Sequence, residues 1–331
     1  MGTHIFYKTF LLAITALLVA SCGGINIRIG TRAEEPLKEY TLEGKGREKV
    51  LMVPVRGFLS DAPEKSLVGS SPSIVQEIVS QLRKAEKDHS IKAMLLEINS
   101  PGGSTTAADI LYHEISRFKE KTGARVVAAF MDVAASGGYY IAMSADRIVA
   151  HPTAVTGSIG VILITPKVTG LMDRIGVAVD VNKSGSEKDM GSPFRASTAE
   201  EQRILQELIT GLGQKFVALV ARHRSLDAAG SAEISSARIY GADEALRLKL
   251  VDRIGYLDDA LLDAKRLAGL PDDAKVVVYR RTKYPNDNPY NPSAAWNSGS
   301  GLSLIDLHLQ EIIPSLSPGF YYLWMPAMGS K

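Results

Sequence analysis

A single cysteine stands among the 331 residues, so no internal disulfide is available and a thiolate zinc cage is excluded. The six histidines are scattered, and His113-Glu114 has no second histidine at helical spacing, so no metal site is expected. Net charge is only +2, and lysine and arginine form no dense run, which leaves no phosphate-tracking face and no nucleic-acid partner to expect. Long apolar spans are also wanting. The first hydrophobic run, residues 9–20, is too short to cross a bilayer comfortably and has the length of a signal-peptide core. No cofactor is implied, because the glycine turn at residues 100–103 lacks the Lys-Ser/Thr ending of a phosphate-binding loop.

What is present centres on residues 126–140, V-V-A-A-F-M-D-V-A-A-S-G-G-Y-Y. A β-branched apolar run leads into small residues, then into one serine, two glycines and a helical segment. That pattern predicts a strand, a tight turn and a helix start, with the Ser136 hydroxyl held at the reversal. The Gly137 amide is then free of helix bonds and able to bind an oxyanion. Residues 94–103, M-L-L-E-I-N-S-P-G-G, repeat the theme: a buried strand ends in glycines whose amides can face a ligand. Two such corners can form the two halves of an oxyanion hole.

Along the chain, residues 22–48 read as a polar tether and residues 50–55 as the first strand, with a loop over 60–71. A helix opening at Pro72 places Ile74, Ile78 and Leu82 on one face. A strand over 93–98, a helix over 106–121 and the strand that delivers Ser136 complete a βαβ series, hence an α/β fold with a mostly parallel sheet. Its ligand site belongs beyond the carboxyl ends of the strands, where both glycine corners lie. Ser197 with Glu200 predicts the cap of a long helix reaching about residue 222, with Ile204, Leu208, Leu212 and Leu219 recurring along it. From residue 281 the composition turns to Pro, Asn, Ser and Gly. A short amphipathic helix over 302–313 and an aromatic stretch over 320–324 follow, the latter suited to a membrane, a second subunit or a strap on its own domain.

A serine hydroxyl is a weak nucleophile and needs a neighbouring base, His or Lys. His113, His151, His223 and the lysines of the polar loop 180–195 are all candidates on residue type alone.

Three ordered motifs carry a resemblance: I-N-S-P-G-G at 98–103, A-A-S-G-G-Y-Y at 134–140 and T-G-S-I-G-V at 156–161. Together they resemble the signal peptide peptidase A (SppA) family of bacterial serine proteases, within the ClpP/crotonase fold, a spiral of βαβ units. The resemblance covers about residues 49–260 and implies a peptidase domain at 49–265, with residues 266–331 as an extension. It implies Ser136 as nucleophile, Lys188 as base, Ser158 as the hydroxyl that orients the lysine, and Gly103 and Gly137 as oxyanion donors. His151, following the next strand as the catalytic histidine does in the ClpP branch, is the rival base.

A lysine acts as a base only when uncharged, although a free one titrates near ~10.4, so about 4 kcal/mol must disfavour the ammonium to bring it to neutral pH. In single-domain members of the family a neighbouring subunit completes the dyad, which implies a homo-oligomer with dyads near subunit borders. Remnant signal peptides or other membrane-associated peptides are the implied substrates, with small or aliphatic residues at the cleavage site. The non-hydrolytic alternatives are a peptide-binding scaffold of the same fold and acyl-CoA chemistry of the crotonase kind. Residues 19–22, V-A-S-C, resemble a bacterial lipobox, which implies a signal peptide at 1–21 and lipid on Cys22. The chain is therefore expected to be an exported, membrane-anchored lipoprotein on the periplasmic side of the cell envelope.

Overall fold

The computed structural model describes residues 35–66, 69–284, 287–290 and 319–324. The lipobox with Cys22 and the helix expected over 302–313 lie outside the described residues.

In chain order, the strands are β1 Lys38–Glu43, β2 Lys49–Arg56, β3 Glu64–Ser66, β4 Gly69–Ser71, β5 Ile91–Ser100, β6 Gly102–Ser104 and β7 Arg125–Ala135. There follow β8 Arg147–Ala150, β9 Val155–Gly157, β10 Ile162–Ile164, β11 Ile239–Gly241, β12 Arg253–Ile254, β13 Lys275–Arg280 and β14 Gly319–Leu323. The helices are α1 Ile74–Ala85, α2 Thr105–Thr122, α3 Gly137–Ala142, α4 Thr169–Ile175, α5 Ala199–Arg224, α6 Ala228–Ile234, α7 Ala242–Arg247 and α8 Leu257–Leu267.

The main sheet runs β1-β13-β2-β5-β7-β8-β12, with β9 branching from β7 and β11 pairing with β9. Its interior is parallel, and only the β1–β13 and β11–β9 pairs are antiparallel. Met94, Leu95 and Leu96 on β5 and Val126, Val127 and Ala128 on β7 are fully buried, because side chains alternating to both faces meet a covering layer on each. One core holds Leu96, Ile98 and Val126 with Ile78 of α1 and Leu111 and Phe118 of α2. The other holds Leu95 and Val127 with Leu257, Leu261 and Ala264 of α8. Each such aliphatic side chain contributes about 1.5–3 kcal/mol on burial, which makes the two central strands the rigid base of the carboxyl-end corners.

Ile74, Ile78 and Leu82 do face the core, and Ser73 caps α1 through a reciprocal bond with Gln76. Other expectations need correction. The tether does not extend to residue 48: β1 is an edge strand of the main sheet, tied down where Lys49 bridges Glu39 and Asp88. Its polar composition, KEYTLE, suits an edge and hides it from apolar pattern reading. The sheet likewise takes β13 from beyond residue 265. The 60–71 loop contains the hairpin β3–β4. The cap of α5 is Thr198 with Glu201, one residue later than expected, because Arg195 draws the fully buried Glu201 carboxylate inward while Glu200 pairs with Arg203 outside.

A second, three-stranded antiparallel sheet, β10-β14-β6, lies at the carboxyl end. The aromatic stretch near the end of the chain is therefore a strand packed on its own domain.

Candidate active site

Ser136 lies between β7 and α3 with φ 52° and ψ −114°, a conformation that L residues rarely adopt and that suspends the side chain at a sharp strand-to-helix turn. Backbone strain of this kind persists only where surroundings hold it, and here they do. Ser136 N donates to Gly157 O at 2.8 Å, and Tyr140 N donates to Ser136 O at 2.9 Å. The Ser136 Oγ is buried and has no hydrogen-bond partner among the described residues. An unpaired buried hydroxyl is costly, which marks the position as built for something other than stability.

The other corner is β6. Gly102 has φ +100°, and a Cβ on it would stand 2.7 Å from Gly137 N, so the two glycine turns touch. Leu59 N donates to Gly102 O and Ser104 N to Leu59 O, both at 2.9 Å. Strand alternation then turns the Gly103 amide to the opposite side, away from Leu59. A side chain on Gly103 would come within 2.1 Å of Leu59 O, so only glycine allows this approach. The two corners are held in line by Ser100, whose hydroxyl donates to Gly57 O at 2.6 Å and accepts from Gly102 N at 3.1 Å.

Ser158 is 9% exposed, sits at φ 51°, and directly follows the glycine whose carbonyl takes the Ser136 amide. Sequence motifs 22 residues apart thus meet through the β7–β9 pairing of Ala135 with Gly157.

Lys188 is not brought to this corner within one chain. It is exposed, on a turn where its amide donates to Gly185 O at 3.2 Å, and its amine has no hydrogen bond or ion pair among the described residues. The turn itself is pinned. Asp189 accepts from Lys183 and Arg195, each at 2.7 Å, and hydrogen bonding by Arg195, then by Lys183, holds its carboxyl well below the usual range. His151 is also away from Ser136 Oγ: its Nδ1 meets Thr153 Oγ1 at 2.8 Å, and its ring packs edge-on to Tyr256 at 5.0 Å.

Pattern reading passed over Glu97, fully buried on β5 beside the corner strands. Burial pushes its carboxyl up, and the Arg56 guanidinium, bonded to it, pulls it back. Two residues on, Asn99 Oδ1 accepts from Val133 N at 3.2 Å and clamps the end of β5 to that of β7. A lone Glu inside M-L-L-E-I-N was the available signal.

A parallel sheet whose carboxyl end presents a strained serine against two glycine corners defines an α/β serine peptidase of ClpP-like architecture. The Clp protease family profile matches residues 69–156, and that of Peptidase family S49 matches residues 118–271, a span that includes Ser136, Ser158 and Lys188. A candidate SppA signal peptide peptidase of Enterococcus faecium is 36% identical over 257 residues, covering 78% of this chain and 74% of that protein. A candidate protease of Synechocystis sp. is 36% identical over 69% of this chain and 77% of its own length. The chloroplastic serine protease SPPA of Arabidopsis thaliana is 28% identical over 85% of this chain and 41% of that one. The chain belongs to peptidase family S49 and is a serine endopeptidase of the signal peptide peptidase type. A mutant ClpP1 of Listeria monocytogenes aligns at TM-score 0.42 and 18% identity over 63% of this chain and 94% of that one, too loosely to carry a subunit arrangement across.

Proposed function

We propose that this peptidase uses Ser136 as nucleophile and Lys188 as base, completed across a subunit border in a membrane-tethered homo-oligomer. The observation that carries the reading is the buried Ser136 Oγ, unpartnered among the described residues, on a strained turn beside two glycine corners that touch each other. Ser136 attacks the peptide carbonyl carbon, and its proton passes to the Lys188 amine. The amides of Gly103 and Gly137 take the developing oxyanion, and the lysine then gives the proton to the leaving amine. Water repeats the sequence on the acyl-enzyme. Ser158 orients the amine.

The exposed Lys188 amine of a single chain cannot serve this role while solvated, since water stabilises the ammonium. What supports its burial by a second copy is the surface around it. Leu171, Ile175, Val177, Val179, Val181 and Phe194 all stand at least 45% exposed on the segment that carries Lys188. Large apolar side chains left exposed in this number along one segment favour an interaction surface there. α5 is the one described helix long and apolar enough to cross a membrane, and much of its apolar length is uncovered in the single chain. Lipid on Cys22 places the assembly at the periplasmic side of the cell envelope, with membrane-associated peptides as substrates.

The test combines labelling and turnover. A fluorophosphonate should modify Ser136 stoichiometrically, and Lys188→Ala should abolish peptide hydrolysis where His151→Ala does not. Loss of turnover in the histidine variant alone would reassign the base.

A further inference from the structure

Ser136 and Ser158 end two strands that lie side by side, and a third strand closes the row. β9 runs parallel to β7, pairing Ala134 with Thr156 and Ala135 with Gly157. β11 runs back along β9, pairing Tyr240 with Thr156 and Ile239 with Gly157. The carboxyl ends of β7 and β9 and the start of β11 therefore fall at one level, within about 10 Å of each other at the usual strand spacing. Hydrogen bonds step across that level. Ser136 N donates to Gly157 O, and Ser158 N donates to Arg238 O, each at 2.8 Å. Thr156, fully buried, adds a bond from its hydroxyl to Ala134 O at 2.6 Å.

Backbone strain collects at the same level. Five non-glycine residues have positive φ among the described residues. Ser225 caps α5 and Lys249 follows the cap of α7, places where that conformation is common. The other three are Ser136 at 52°, Ser158 at 51° and Ala237 at 55°, one for each strand of the row. Such conformations persist only where the surroundings over-determine them. For Ser158 those surroundings come from β11, which has three residues and pairs with no strand but β9 among the described residues. Its Tyr240 is 2% exposed and lies against Gly157, where a Cβ would stand 2.6 Å from the ring. Over the ring, at 4.8 Å, sits the Arg238 guanidinium, itself held by Glu233 at 2.8 Å and Glu244 at 2.7 Å. The Tyr240 hydroxyl donates to Glu233 O at 3.4 Å. The ring is thus fixed at its edge, its face and its far end.

We propose that Tyr240 is a positioning residue for the dyad: its ring, wedged against Gly157, sets the turn that aims the Ser158 hydroxyl at the incoming lysine amine. This rests on the Ser136 and Lys188 reading with Ser158 as the orienting hydroxyl, and adds a residue which that reading does not use. Tyr240 touches neither substrate nor reacting atoms. It acts through Gly157, whose carbonyl receives the Ser136 amide and whose next residue is Ser158, so both serine turns shift together when the ring is lost. A misplacement of about 1 Å at a reacting group costs on the order of 10²-fold in rate. The loss falls on proton transfer and not on peptide binding, so kcat drops while KM stands.

The full chain is assayed in detergent at concentrations where light scattering shows complete assembly, and each rate is divided by the centres that a fluorophosphonate titrates. Tyr240→Ala should lower kcat per titrated centre about 10- to 100-fold, with KM within about twofold. Tyr240→Phe, which keeps the ring against Gly157, should restore most of the rate. Ser158→Ala should lose a comparable amount, and Ser158→Ala with Tyr240→Ala should be no slower than Ser158→Ala alone. Ala237→Val reaches the same turn from the surface, so the test survives a Tyr240→Ala that fails to fold. A β-branched residue resists φ 55°, and Ala237 already crowds Gly160, where a Cβ would stand 2.7 Å from its own. It should lower kcat in the same way. Wild-type kcat per titrated centre in Tyr240→Ala or Ala237→Val overturns the positioning role and leaves the ring to the core. Additive losses overturn the route through Ser158, as does a wild-type rate in Ser158→Ala. Failure of Ser136 to label in any preparation is a separate result: it sinks the dyad itself, and this inference with it.

Discussion

β7, which delivers Ser136, and the segment from α4 into α5, which carries Lys188, both present large apolar side chains, and the fold treats them oppositely. Val126, Val127 and Ala128 are fully buried between two helical layers, whereas Leu171 is 59% exposed, Ile175 63% and Leu208 48%. The strand has its partners among the described residues, and much of the arm does not. One half of the proposed catalytic pair is thus set rigidly during folding of the subunit, and under the same proposal the other waits for a surface to cover it. Burial is also what a lysine base requires, so assembly and activation become a single event under the proposed mechanism.

The largest effect should come from removing either partner. Ser136→Ala and Lys188→Ala should each lower kcat/KM for a peptide by about 10⁴-fold or more, and the double variant should be no worse, since members of one catalytic unit are not additive. Additive losses would break the pairing of strand and arm. Next comes the rigid half. In Gly103→Ala the new methyl would meet the Leu59 backbone at 2.1 Å. It should cost about 10²–10³-fold in kcat by displacing the proposed oxyanion donor, with a lowered thermal midpoint as the accompanying sign of strain.

The arm should respond differently. Ile175→Asp and Leu208→Asp should lower the assembly size seen by light scattering and reduce activity about tenfold at low protein concentration, recovering as concentration rises. Their thermal midpoints should barely change, because exposed substitutions usually stay within about 0.5 kcal/mol. A fall in activity that concentration does not relieve would mean that the arm works without a partner. The smallest effect is expected at His151→Ala, within about threefold of wild type, since its ring is engaged by Thr153 and Tyr256.

Legibility followed the same division. β5, β7, α1 and α2 were readable because their hydrophobic periods are answered by partners inside the chain. Both glycine corners and Ser136 could be placed on the strand ends from residue type alone, and the family motifs added Ser158 and Lys188. β1 was invisible, since an edge strand carries little apolar pattern. The recurrence of Ile204, Leu208 and Leu212 along α5 predicted a helix correctly but not its burial, which depends on a surface that the described residues do not supply. β14 could not be placed from its own five residues, because its register is set by β6 and β10, far away in sequence.

The pinning of β1 sets a length scale for the proposed tether. Sixteen Cα-to-Cα steps lead from Cys22 to Lys38, and a chain of that length spans at most about 55 Å when fully drawn out. With lipid at Cys22 the sheet edge is leashed within that radius of the bilayer. Such an enzyme patrols a thin layer over the lipid headgroups and meets peptides as they emerge from the membrane, while those drifting free beyond the leash pass untouched.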